Sequence, residues 1–353
     1  MHAIRLHAFG PAGNLSHEEV PAPVPAEGQV RIDVRASGVH WIETTLRRGL
    51  PVGPHQPPEL PVVPGGEVAG VVSAVGPGVD EQWLGRRVVA QLGGYGGYAE
   101  QAVADVDSLH PIPGHLDAET AVAAITTGST AQGVLSVAGV TADDTVLVMS
   151  AAGGLGSLFV QAARQAGATV VGVAGGPAKT ARVRELGADV AVDYRDADWP
   201  GHVREALGGR QVSVVLDGVG GTTGRQALEL LGPGGRFLLH GWASGTPTEI
   251  TTPDIIERAL TVTWAIGPAM VPVGGMRELA TRALAEAAAG RLVPLITRFP
   301  LSRAADAHAA LEAREVEGKV VLTTCAPSRT APAPGVQLTR CAACRATWPN
   351  RSR

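Results

Sequence analysis

At 353 residues the chain exceeds the usual size of a single domain and is long enough for two, each with its own core. Charged residues make up 18% and apolar ones 45%, with 46 glycines and 26 prolines, which fits a turn-rich globular protein and excludes a long coiled coil or a disordered chain. The net charge is -4 and the basic residues are scattered, so no basic field exists for gripping a nucleic acid backbone. Met1 to Gly10 contain no apolar stretch of signal-peptide type, and no apolar run approaches the ~18 residues of a membrane span, so a cytoplasmic protein is expected. The three cysteines, Cys325, Cys341 and Cys344, all lie near the C-terminal end, which leaves no disulfide framework for the body of the chain.

From residue 1 to 118 the pattern is one of short β-type runs, such as Val30 to Val34 and Glu67 to Val75, between Gly and Pro turns. From 119 to 267 strands and helices alternate: Thr145 to Met149, a helix from Leu155, Thr169 to Val173, a helix to Leu186, Val190 to Val192, Val212 to Leu216 and Arg236 to Leu239. An edge strand at Leu260 to Ile266 makes six, the number of a doubly wound parallel sheet. Residues 268 to 325 form helix-rich Arg277 to Ala289 and a β-like run, Gly318 to Thr323, assigned back to the first domain. The remainder, 326 to 353, is a Pro, Ala, Ser and Thr tail expected to stay disordered; its Cys341 and Cys344 have the spacing of half a zinc knuckle and read as incidental thiols. The fold class is α/β, a β domain joined to a parallel, helix-covered sheet.

The most informative segment is Ser150-Ala151-Ala152-Gly153-Gly154-Leu155-Gly156, which follows one expected strand and opens one expected helix. Such a turn lets the backbone approach a pyrophosphate and presents free N–H groups and a positive dipole end to it. Ala151 takes the place of the first glycine in G-x-G-x-x-G, so the match is imperfect, and a tight turn without a ligand is the plainer alternative. Some 20 residues on, where a carboxylate would accept from a ribose hydroxyl, the chain reads Val173-Ala174-Gly175-Gly176. No carboxylate there repels a 2′-phosphate, and Lys179, one of only two lysines, is placed to reach it. NADPH is favoured over NADH; the bland alternative for Lys179 is a solvated helix residue.

Several segments together resemble the medium-chain dehydrogenase/reductase family. Leu60-Pro61-Val62-Val63-Pro64-Gly65-Gly66-Glu67-Val68-Ala69-Gly70 is similar to its P-x-x-P-G-x-E-x-A-G element, and Ala152-Gly153-Gly154-Leu155-Gly156 to its A-G-G-V-G turn. His308-Ala309-Ala310-Leu311-Glu312 and Gly318-Lys319-Val320-Val321-Leu322 are similar to its closing motifs. The resemblance implies a GroES-like β domain interrupted by a Rossmann domain, with the cofactor between them. Zinc-dependent members place a cysteine where this chain has Gly38-Val39-His40-Trp41-Ile42-Glu43 and a histidine at Gly66; His40 and Glu67 alone do not make the three protein ligands of a catalytic zinc site. The resemblance therefore points to the zinc-free, quinone-reductase branch. It further implies that Lys179 and Tyr194 bind the 2′-phosphate, that Thr130 lies beside the nicotinamide, and that His240, Gly241 and Ser244 lie near the nicotinamide ribose.

The expected activity is transfer of hydride from NADPH to a quinone or α,β-unsaturated carbonyl, with His40, Trp41, Glu43 and Thr130 as the candidate catalytic group. Charge growing on the substrate oxygen needs a donor such as His40, Thr130 or a backbone N–H. Two alternatives stay open: an enoyl-thioester reductase, a branch that often carries a tyrosine where this chain has Trp41, and a module that binds NADPH as a sensor without turnover. The partner is a small molecule, and the apolar run Leu260 to Ile266, at an open sheet edge, predicts a homodimer.

Overall fold

The computed structural model describes residues 1–324; the tail with Cys325, Cys341 and Cys344 lies outside the described residues. Strands β1 (His2–Leu6) and β2 (Leu15–Glu19) form a small hairpin beside a seven-stranded sheet. That sheet holds β3 (Gln29–Val39), β4 (Glu67–Val75), β5 (Arg87–Gln91), β6 (Gln101–Asp105) and β7 (Leu109–Pro111), with helix α1 (Trp41–Arg47) following β3. Burial alternates along β3 over Gln29–Arg35 and is continuous over Ala36–Val39. The reason is that successive side chains point to opposite faces, and both faces are covered here. Ala36 packs with the core under helix α2 (Ala118–Ala138), while Val39 packs with Ile4, Leu6 and Leu301.

Helix α2 leads into a six-stranded parallel sheet. In chain order it comprises β8 (Thr145–Met149), α3 (Gly154–Gln165), β9 (Thr169–Ala174), α4 (Pro177–Glu185), β10 (Val190–Asp193) and α5 (Trp199–Leu207). Then follow β11 (Val212–Asp217), α6 (Gly221–Glu229), β12 (Leu231–Leu239), α7 (Thr252–Arg258) and β13 (Thr261–Trp264). The spatial order β10-β9-β8-β11-β12-β13 reverses between β8 and β11, and every residue of β8 is buried, as a central parallel strand covered by helices on both faces must be. Such a reversal opens a crevice at the carboxyl ends of the strands.

Helix α8 (Gly275–Ala288) packs on α2, and the chain then returns to the first sheet through β14 (Ile296–Pro300), α9 (Ala304–Glu312) and β15 (Lys319–Thr323). β15 runs antiparallel to β3, with Val320 opposite Val39, so it reaches the first sheet from the far end of the sequence.

The reading that no apolar run approaches span length misses α2. This 21-residue helix has the length and a mean hydropathy, 1.2, that would suit a membrane, yet 67% of that window is buried inside the protein. Gly, Ser and Thr interrupt its apolar runs in the sequence but are small enough to pack, and Ala, Val and Ile fill the space between the two sheets and α8.

Candidate active site

The glycine turn is shaped by two close approaches. Ser150 takes a φ of 52°, which lets the Gly153 N–H close on the Ser150 carbonyl at 2.8 Å. A Cβ on Gly156 would stand 2.2 Å from that same carbonyl oxygen and 2.8 Å from the Ala151 Cα, so only glycine fits. Ala151, at the place of the missing first glycine, is buried and donates its N–H to the Val173 carbonyl at 2.9 Å, which pins the turn to β9. The Leu155 side chain packs into the sheet core. Gly153 caps α3 without a side-chain bond, and no acidic residue sits in the first turn, so the N–H groups of Gly154, Leu155 and Gly156 are open to an anion.

Beside this turn, basic side chains converge. Lys179 Nζ donates to the Arg314 carbonyl at 2.6 Å, across 135 residues of chain. Burial pulls the Lys179 ammonium below the ordinary lysine range, Glu317 opposes that, and Arg195 and Arg314 add to it. Tyr194 Oη and Arg195 Nε lie over Gly175, where a Cβ would meet them at 2.7 and 3.3 Å, and Arg195 Nη1 lies over Gly176. Arg195 and Arg314 were absent from the sequence reading. Arg195 directly follows Tyr194 and was within reach of it; Arg314 was not. The structure also brings a carboxylate to this loop. Asp193 Oδ1 accepts from the Gly176 N–H at 2.9 Å and the Arg195 N–H at 3.0 Å. Burial alone would raise its pKa, but these two bonds and the Arg195 charge lower it, so the carboxylate is committed to ordering the loop.

At the ends of β11 and β12, the His240 ring lies edge-on to Phe159 at 5.2 Å, and its Nε2 is buried with no partner among the described residues. Burial pushes its pKa down to about 4, so the ring is neutral at physiological pH. An orphaned polar atom beside a crevice fits a ligand that supplies its bond. Gly241 has ordinary room for a side chain, the nearest atom being 3.4 Å from a Cβ. The Ser244 hydroxyl donates to the Thr246 carbonyl at 3.1 Å, which closes its own loop. Thr130 donates to the Thr126 carbonyl at 2.9 Å, so its proton serves the helix and only its lone pairs remain for a ligand. Thr127, three residues earlier, is the threonine that lies against Gly154.

The residues from His40 to Glu43 sit where the first sheet meets the glycine turn; the Gly318 N–H donates to the Ala152 carbonyl at 2.7 Å and fastens β15 there. Trp41 opens α1 and is 36% exposed. Glu43 is a scaffold: it accepts from the His40 N–H at 2.8 Å, the Gly66 N–H at 3.2 Å and the Tyr98 hydroxyl at 2.5 Å. Tyr98 Oη in turn meets His308 Nε2 at 3.1 Å, a histidine that burial pushes down to about 3. His40 Nε2 stands 3.0 Å from Glu67 Oε1, and Lys319 Nζ reaches both of them. Gly38 permits this, because a Cβ there would stand 1.8 Å from Glu67 Oε1. Two surface hollows, one lined by Gln132, Gln165 and Leu292 and one beside Arg47 and Glu312, lie away from all these groups.

Comparison with known proteins agrees with this two-sheet fold. The family model described as "Alcohol dehydrogenase GroES-like domain" matches residues 26–114, and that described as "Zinc-binding dehydrogenase" matches 154–285. A 2-haloacrylate reductase from a Burkholderia species is 34% identical over 90% of this chain and 97% of its own, and quinone oxidoreductase 1 of Escherichia coli is 31% identical over 90% and 98%. Among solved structures, a mycobacterial protein in complex with NADPH superimposes with a TM-score of 0.80 at 34% identity, covering 92% of this chain and 100% of that one. The Escherichia coli quinone oxidoreductase in complex with NADPH gives 0.81 at 29% identity, again over 92% and 100%. With a GroES-like sheet, a Rossmann sheet and near full-length relatives at this identity, the chain belongs to the medium-chain dehydrogenase/reductase family of oxidoreductases, in its quinone oxidoreductase-like branch.

Proposed function

We propose that this protein binds NADPH along the carboxyl ends of β8, β9, β10 and β12 and reduces a quinone or α,β-unsaturated carbonyl without zinc. The observation that carries the reading is the convergence of Lys179, Tyr194 and Arg195 beside a glycine turn whose helix N-terminus is open. Bound NADPH supplies the hydride. Gly154 to Gly156 hold the pyrophosphate, Lys179, Tyr194 and Arg195 hold the 2′-phosphate, and His240, Gly241, Ser244 and Thr130 border the nicotinamide end. His40 donates toward the oxygen on which charge grows, Trp41 walls the substrate side, and Glu43 holds the His40 backbone in place. The relatives, a quinone oxidoreductase and a 2-haloacrylate reductase, share an electron-poor acceptor, which supports this substrate class. The enoyl-thioester reading has no such support, and Trp41 offers no acidic proton. Incubating the protein with NADPH and a panel of quinones, enones, haloacrylates and enoyl thioesters, while following nicotinamide absorbance, separates them. Oxidation with quinones or enones is expected; turnover confined to enoyl thioesters overturns the substrate assignment.

The zinc-free reading starts from the missing cysteine and from Gly66 in the histidine place, and Lys319 supports it, its ammonium standing 2.9 Å from His40 Nε2 and 2.7 Å from Glu67 Oε1, the two side chains that would have to share a metal. A fixed cation there opposes a second one. The purified protein is expected to carry no stoichiometric zinc and to keep its activity in chelators; one tightly held zinc per chain, lost together with activity, contradicts this.

The homodimer reading draws on β13. Among the described residues this edge strand pairs only with β12, and Val262 is half-buried while Trp264 is 45% exposed and tilted against Trp242 at 5.4 Å. Trp242 covers one face of the run, but the strand's hydrogen-bonding edge has no pairing strand among the described residues. A homodimer that joins two such edges about a two-fold axis is expected. Val262→Glu should shift it toward monomer in light scattering, whereas a wild-type monomer at micromolar concentration would refute it.

A further inference from the structure

Asp193 is the last residue of β10, and the parallel register with β9 sets it directly opposite Ala174. In a dinucleotide site built for NAD, a carboxylate at the end of the second strand accepts from the adenosine ribose hydroxyls. Here Ala174 ends that strand, and the acidic group stands one strand over. An uncommitted carboxylate in this place would repel a 2′-phosphate. Its hydrogen bonds show how it is committed. Oδ1 accepts from two backbone N–H groups, that of Gly176 at 2.9 Å and that of Arg195 at 3.0 Å. The bond to Arg195 closes the turn after β10, and the bond to Gly176 crosses to the loop that leads into α4. One oxygen thus ties the turn that carries Tyr194 and Arg195 to the loop that precedes Lys179. Gly176 makes this possible with a φ of 93°, which glycine holds at little steric cost, and Pro177 then opens α4. The two loops touch: a Cβ on Gly175 would meet Tyr194 Oη at 2.7 Å, and one on Gly176 would meet Arg195 Nη1 at 2.9 Å. Burial opposes the charge on Asp193, yet the two N–H bonds and the Arg195 guanidinium hold it below the usual carboxylate range.

We propose that Asp193 is a positioning residue that sets the preference for NADPH over NADH: its carboxylate, spent on the Gly176 and Arg195 N–H groups, is withheld from the ribose and fixes Tyr194 and Arg195 where a 2′-phosphate is received. This rests on the reading of Lys179, Tyr194 and Arg195 as the 2′-phosphate site. Asp193 acts through the two loops it joins and needs no contact with the cofactor itself. The bond to Arg195 uses its backbone N–H, which leaves the guanidinium to the phosphate. The rival arrangement, in which Asp193 is the ribose acceptor of an NAD site, predicts the opposite sign: removing the carboxylate would then weaken NADH and favour NADPH.

The test is fluorescence titration of NADPH and of NADH into the parent protein, Asp193→Ala, Asp193→Asn, Arg195→Ala and the double variant Asp193→Ala, Arg195→Ala, with thermal melts to establish folding. Asp193→Ala should weaken NADPH about 10-fold, the size of one charge-assisted contact, and leave NADH nearly unchanged; a merely structural role would weaken both alike. Asp193→Asn, whose amide oxygen accepts the same two N–H bonds, should stay near the parent in its ratio of NADPH to NADH affinity. Because Asp193 acts in part through Arg195, the NADPH losses of the two single variants should not add in the double one. If Asp193→Ala does not fold, Asp193→Ser, whose hydroxyl is one bond too short to accept from both N–H groups, replaces it and should show the same selective loss. Equal losses of NADPH and NADH, a selective loss of NADH, or strictly additive losses in the double variant would overturn the proposal. A parent protein that binds NADH as tightly as NADPH would instead overturn the 2′-phosphate site on which it rests.

Discussion

Lys179→Ala should bind NADPH about 10- to 150-fold more weakly while NADH binding barely changes, because a charge-assisted contact is worth about 1.5–3 kcal/mol. Lys179 is half-buried, between the Arg314 carbonyl and the repelling charges of Arg195 and Arg314. Three cations brought together at some cost are stabilised when a dianion joins them, and in the proposed binding mode the 2′-phosphate would be that dianion. Arg195 is exposed, so screening should make Arg195→Ala the milder variant. Equal losses for NADH and NADPH in Lys179→Ala, measured by fluorescence titration, would contradict the assignment.

Gly156→Val should both destabilise the fold and abolish cofactor binding. Its Cβ would lie 2.2 Å from the Ser150 carbonyl oxygen, a backbone atom that cannot rotate away. Overpacking of this kind costs about 1–3 kcal/mol or more, and the turn can relieve it only by moving the N–H groups proposed to hold the pyrophosphate. Gly114→Ala is the natural control, since it lies outside the proposed cofactor site and its Cβ would meet nothing within 4 Å. Thermal melts with and without NADPH check both: Gly156→Val should melt lower and gain nothing from NADPH, and Gly114→Ala should resemble the parent. A parent-like NADPH shift in Gly156→Val would show that the turn does not hold the cofactor.

What could be read in the sequence was local. The glycine turn, its strand and its helix lie within one short stretch, and the six parallel strands each carry their own apolar run. Long-range pairing was not legible. Lys319 meets His40 across 279 residues because β15 pairs with β3, and Lys179 meets the Arg314 carbonyl across 135. Hydroxyl commitment was equally hidden: Thr130 and Ser244 look like ligands by position, yet each spends its proton on a nearby carbonyl. Asp193 shows the converse, a carboxylate delivered to Gly176 by the neighbouring strand rather than by the loop itself. Composition also misled at α2, whose small polar residues hide an apolar core helix.

Direct hydride transfer from NADPH is the central claim, and isotope transfer tests it most directly. With NADPH deuterated at the transferable nicotinamide position and an enone of the panel that is turned over, the account predicts one deuterium on the reduced carbon of the product and a slower single turnover. Product free of deuterium, or NADPH bound tightly but never oxidised by any acceptor, would contradict it.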